Sequence, residues 1–63
     1  MDQREPIMQF FDYAHLPEKL QTVSKQFCEA ANWVEANLPK NAERSTALRK
    51  LLEAKDCAVR AAL

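Results

Sequence analysis

No glycine occurs anywhere in this chain of 63 residues. That absence excludes the glycine-rich loops that cradle phosphates, whose backbone must approach the ligand closely. Histidine and cysteine are nearly as scarce: His15 stands alone, and Cys28 and Cys57 lie far apart with no CxxC or HxxxH spacing. No metal site is expected from such a set. Asp12 and Glu18 flank His15 in sequence, but no spacing builds a triad, and Ser24 and Ser45 lack an adjacent base. The chain therefore reads as a non-enzyme that needs no cofactor. Apolar runs are too short to span a membrane, and the N-terminus, with Asp2, Arg4 and Glu5, has no signal-peptide hydrophobic region. An excess of one charge is also missing. Nine Lys and Arg balance nine Asp and Glu, which argues against a duplex nucleic-acid binder.

The charge that is present is unevenly placed. From Pro39 onward six cations (Lys40, Arg44, Arg49, Lys50, Lys55, Arg60) face three acids (Glu43, Glu53, Asp56), a net of +3, so the preceding part carries −3. This polarity suits a compact anion site toward one part of an assembly.

Periodicity predicts an all-α chain. Residues 1–15 read as a short arm, because Pro6 breaks any early helix and Phe10, Phe11 and Tyr13 crowd three of the five aromatics into four positions. Such an arm forms either a hydrophobic flap on a neighbouring subunit or a short helical turn. Residues 16–63 read as an antiparallel two-helix hairpin. Pro17 suits the first position of a helix running to about residue 38, with Glu18 in the first turn where the dipole favours an acid. Leu16, Leu20, Val23, Phe27, Ala30, Val34 and Leu38 recur in fours and threes as a seam that needs another helix along its length. Trp33 lies off that seam and suggests a second contact surface. Pro39 disfavours helix at Leu38, and Asn41 is a good cap for a second helix over residues 42–62. The short connection makes the helices antiparallel neighbours.

A two-helix hairpin has one layer of core, and a chain this short needs disulfides, metal or oligomerisation to be stable. Folded about Pro39, Cys28 and Cys57 are offset by about 9 Å along the axis at ~1.5 Å per residue, too far for an undistorted bridge. Oligomerisation by rotational symmetry remains.

In the second helix Leu48, Leu51, Leu52, Ala58, Val59 and Ala62 form the apolar stripe, yet Lys55 falls inside its arc and Arg44 and Arg60 border it. Cations at an apolar seam serve a partner helix or an anion. Phe11, Tyr13 and His15 offer stacking faces and donors, and Lys25, Arg44, Lys55 and Arg60 offer charge-assisted hydrogen bonds to phosphate. Arg44, Ser45 and Thr46 sit where free backbone N–H groups favour anions. Aromatics beside phosphate-seeking cations suit a nucleotide. Packing of the arm and pairing of Arg44 with Glu43 or of Arg60 with Asp56 explain the same residues without a ligand. On spacing alone, the reading stops at a small helical oligomer that binds something.

Two blocks extend the reading. The Tyr13-Ala14-His15-Leu16-Pro17 segment with Val23-Ser24-Lys25-Gln26-Phe27, and the run from Glu43 through Leu48-Arg49-Lys50-Leu51-Leu52-Glu53-Ala54-Lys55-Asp56 to Ala61, resemble the helical-hairpin domain shared by phage anti-CBASS and anti-Thoeris signal sponges. The resemblance covers about residues 9–63, and the second block is the more specific. It implies a homohexamer of hairpins in the host bacterial cytoplasm that binds and withholds cyclic oligonucleotide second messengers without cleaving them. Cyclic dinucleotides such as cGAMP would occupy pockets between subunits, with Tyr13 and Lys25 as the matching residues. Cyclic trinucleotides would occupy separate pockets, to which Arg44, Ser45 and Arg60 carry over. The anti-Thoeris branch implies cyclic ADP-ribose isomers instead or as well. The alternative outside this family is a helical adaptor whose seam binds a host protein helix.

Overall fold

A computed structural model describes residues 5–63. The first four residues of the expected arm lie outside the described part. The described chain is a short 3-10 helix at Pro6–Phe11, a helix α1 at Glu18–Asn37 and a helix α2 at Ala42–Ala62, with no strand among the described residues. The two long helices pack along each other, and the 3-10 helix packs on both.

The arm is thus a helical turn on its own hairpin. Pro6 opens it, where its lost N–H costs nothing. With three residues per turn, positions three apart eclipse one another. Glu5, Met8 and Phe11 accordingly share one face, and Met8 and Phe11 are fully buried. Ile7 and Phe10 share another face, where Ile7 is half-buried and Phe10 is 56% exposed.

The ends of α1 follow from its prolines. Pro17 is the N-cap and not the first helical residue; its carbonyl accepts from the Leu20 and Gln21 amides at 2.9 and 3.0 Å. Gln21 also ties the helix to the preceding linker, its Nε2 donating to the Leu16 carbonyl at 2.8 Å and the Ala14 carbonyl at 3.3 Å. At the far end Leu38 is extended, φ −107° and ψ 145°, as the residue before a proline prefers. Asn41 then caps α2, its Oδ1 accepting from the Arg44 amide at 2.8 Å. Glu43 in the first turn and Arg60 in the last both suit the helix dipole.

The core joins Met8 and Phe11 of the arm to Cys28 and Ala31 of α1 and Leu48 of α2, with Ile7, Tyr13, Phe27, Val34, Leu51 and Leu52 packed around them. This corrects the expected seam of α1. The residues of α1 that are buried are Leu20, Ser24, Cys28 and Ala31, whereas Ala30 and Leu38 are exposed and Val23, Phe27 and Val34 are half-buried. The arm explains the shift. It is a third element in the groove between the helices, and α1 turns the small residues Ser24, Cys28 and Ala31 inward, where Met8 and Phe11 are fully buried. The larger residues of the seam are left at the margin. No helix among the described residues is long and apolar enough to cross a membrane.

Candidate functional site

Arg44, expected as a ligand cation, is buried beneath the arm. Its Nη1 donates to the carbonyls of Glu35 and Leu38, both at 3.0 Å, and its Nη2 reaches Glu5 Oε2 at 2.6 Å. The Glu5 amide in turn donates to Glu35 Oε2 at 2.8 Å. One guanidinium therefore closes the C-terminal end of α1, the start of α2 and the arm into a single knot. Its Nε is buried and has no partner. A hollow of about 350 Å³ opens at the helix–helix turn, lined by Leu38, Pro39, Asn41, Glu43, Arg44 and Ala47. It is largely apolar apart from the Glu43 carboxylate and the ends of Asn41 and Arg44.

The more promising ground lies between the arm and α2. A hollow of about 290 Å³ there is lined by Gln9, Phe10, Asp12, His15, Leu16, Leu52, Lys55 and Asp56. A second of about 390 Å³, lined by Pro6, Ile7, Phe10, Arg49, Leu52, Glu53 and Asp56, adjoins it. Phe10, Leu52 and Asp56 belong to both, so the two form one trough with an apolar floor. Lys55 lies low in it: its side chain is only 13% exposed, and its Nζ stands 3.2 Å from Asp56 Oδ1.

The structure thus brings His15 and Lys55 together and adds Phe10 and Gln9. Tyr13, two residues from His15, is half-buried against the core, and its carbonyl accepts from the Leu16 amide at 3.0 Å. Of the two roles open to Phe11, stacking face or packing residue of the arm, the structure shows packing: Phe11 is fully buried, and Phe10 takes the exposed place. The two are adjacent aromatics, and only the three-residue period of the arm distinguishes them. That period, with Met8 three residues before Phe11, is the signal that finds Phe10 from sequence.

The remaining candidates do not line the trough. Lys25 is exposed on α1 and pairs with Glu29 at 3.9 Å. Ser45 is exposed in the first turn of α2, and its amide donates to the Asn41 carbonyl at 3.1 Å. Arg60 is exposed in the last turn, where its Nη2 approaches Cys57 Sγ at 3.4 Å. At ~1.5 Å per residue, Arg44 and Arg60 lie about 24 Å apart along α2. Within one chain they share no pocket, so only apposition of different copies would unite Arg44, Ser45 and Arg60. Cys28 is buried, Cys57 is exposed and both are free. Among the described residues no group of His, Cys, Asp and Glu is placed to hold a metal ion. Compared with family models, with curated proteins and with solved structures, the chain shows no significant match.

Proposed function

We propose that this protein is a phage-encoded sponge that binds cyclic oligonucleotide second messengers and withholds them from CBASS-type immunity without cleaving them. The observation that carries the reading is the trough in which exposed Phe10 stands beside His15 and Lys55. A cyclic dinucleotide offers two planar bases and two phosphates. An aromatic face suits a base, and an ammonium with an imidazole suits a phosphate. The blocks around Tyr13 to Phe27 and Glu43 to Ala61, with their resemblance to the sponge domain, give the same direction.

Shape and symmetry support a shared site. The two hollows of the trough measure about 290 and 390 Å³, which is room for part of a small ligand or all of one on the ~300–1,000 Å³ span of such pockets. The trough is open on one side. A two-fold copy would present Phe10, His15 and Lys55 a second time, matching a ligand that is itself near two-fold symmetric. A phosphate drawing Lys55 away from Asp56 gives up a partly exposed pair worth ~0–1 kcal/mol. A hexamer of hairpins is the assembly we propose. Calorimetric titration with 3′,3′-cGAMP, a cyclic triadenylate and cyclic ADP-ribose isomers tests the reading. Heat with at least one cyclic messenger supports it, and no heat with any of them sinks it.

One observation favours a second reading. Asp12, Glu53 and Asp56 rim the trough beside its apolar floor, an arrangement that also suits a basic amphipathic helix of a host protein. An adaptor of that kind would be a monomer or dimer of 7.2 kDa chains and would ignore nucleotides. Light scattering separates it from a particle near six chains.

A further inference from the structure

We infer that the outward face of α1 is a self-pairing surface, on which a second copy of this chain lays its own α1 antiparallel about a two-fold axis between Gln26 and Ala30. Lys19, Val23, Gln26, Ala30, Trp33 and Asn37 form one stripe along that face. All are exposed except half-buried Val23. Trp33 is 59% exposed, a large apolar surface for a chain this small.

Three features suit a second copy as the occupant. The first is spacing. The stripe advances by four, three, four, three and four residues, the same from either end. A stripe so spaced meets its own reverse with every layer filled: Val23 against the partner copy's tryptophan, Gln26 against its alanine, and the same pairs again across the axis. The second is shape. Small Ala30 lies at the centre, where the backbones approach most closely, and bulky Trp33 faces the shorter Val23, so large and small alternate as interdigitation requires. The third is charge. Lys19 is the stripe's only ionised residue, so the antiparallel arrangement sets no like charges against each other within it. Lys19 comes to the C-terminal end of the opposite helix, where the dipole favours a cation. Glu29 flanks the stripe and approaches its own copy near the axis, but Lys25 already stands 3.9 Å from its carboxylate.

Phe27 and Val34, half-buried beside the stripe, would be covered by the same contact. Both already pack at the edge of the core, so the contact would extend over the apolar surface that the arm leaves at the margin of α1. The surface is distinct from the trough and shares no lining residue with it. It specifies where copies meet, whether or not they bind a nucleotide.

Trp33 is the only tryptophan, so its emission reports on this face alone. Light scattering and fluorescence on the full chain test the contact, together with Ala30→Arg and the control Thr46→Arg. Thr46→Arg adds the same charge at an exposed position of α2. The expected result is blue-shifted emission that moves red on dilution. Ala30→Arg should at least halve the mass and red-shift Trp33 while circular dichroism keeps its helical signal. Thr46→Arg should change neither. Solvent-type emission at every concentration overturns the proposal. So does an unchanged mass in Ala30→Arg, or an equal loss in both variants. An Ala30→Arg protein that stays large and still binds cGAMP removes this contact and leaves the sponge reading standing. Assembly through α1 with no messenger bound does the reverse.

Discussion

Arg44 Nη2 lies 2.6 Å from Glu5 Oε2, and both side chains are largely withdrawn from water, at 9% and 14% exposure. The pair spans 39 positions in sequence and is the polar anchor of the arm, set beside the apolar anchors Met8 and Phe11. A buried arginine whose partner is removed keeps its desolvation cost. Glu5→Gln should therefore destabilise by ~1–3 kcal/mol, the cost of leaving a buried group poorly satisfied. Combining it with Arg44→Gln should be clearly non-additive, because the two side chains share one network. Urea denaturation of the two single variants and the double variant measures this. Strict additivity would show that the carbonyls of Glu35 and Leu38 hold Arg44 unaided.

Ser24 gives a prediction of opposite sign. It is 1% exposed, and its Oγ has no hydrogen-bond partner in the structure. An unsatisfied buried hydroxyl is costly, and serine is a poorer helix former than alanine by ~0.5 kcal/mol. Ser24→Ala should raise stability by roughly 1 kcal/mol, shifting Tm up by about 4–8 °C for a domain of this size. A fall in Tm would mean that the hydroxyl is satisfied after all, by an ordered water or by a rotamer bonded to the Leu20 or Gln21 carbonyl one turn back.

Much of this architecture is legible in the sequence because it rests on local chemistry. Pro17, Pro39 and Asn41 act on neighbouring residues, and they bring both helix ends within a residue or two of where the structure has them. The rotation of α1 is less legible. A heptad pattern shows which residues want a partner helix but not how many partners share the arc, and the arm turns out to claim part of it. Arg44 illustrates the same limit. In sequence its nearest acid is Glu43. In the folded chain it meets Glu5, because only the docked arm brings that carboxylate to it. Phe10 and Phe11 are indistinguishable by composition and opposite in burial, and the choice between them needs the period of the arm.

Asn41 carries a local prediction. Its Oδ1 holds the Arg44 amide at 2.8 Å, so its loss exposes an unsatisfied N–H and loosens the residue that clasps the arm. Asn41→Ala should cost ~1 kcal/mol, whereas Asn41→Asp should be close to neutral because an acid suits a helix N-terminus. Thermal melts of the two variants measure the difference. Equal losses would mean that the cap oxygen contributes little here.

The adjacent phenylalanines separate folding from binding. Phe11 is fully buried in the core, so Phe11→Ala removes a large side chain from a tight site and should cost ~3–5 kcal/mol, enough to unfold much of a domain with a core this small. Phe10 is exposed, so Phe10→Ala should leave Tm nearly unchanged. If bases stack on it, the same variant loses ~1–3 kcal/mol of binding per stacked base, and each 1.4 kcal/mol is about tenfold in Kd. Lys55→Gln should weaken binding by a comparable factor and flatten its salt dependence, since it removes the trough's ammonium. Tyr13→Ala should act on both quantities, because Tyr13 packs against the core two residues before His15 of the trough. Calorimetry at two salt concentrations, paired with a melt of each variant, gives all of these at once. If Phe10→Ala and Lys55→Gln bind as the parent does, the messenger does not sit in the trough, and the exposed candidates Lys25, Ser45 and Arg60 become the place to look.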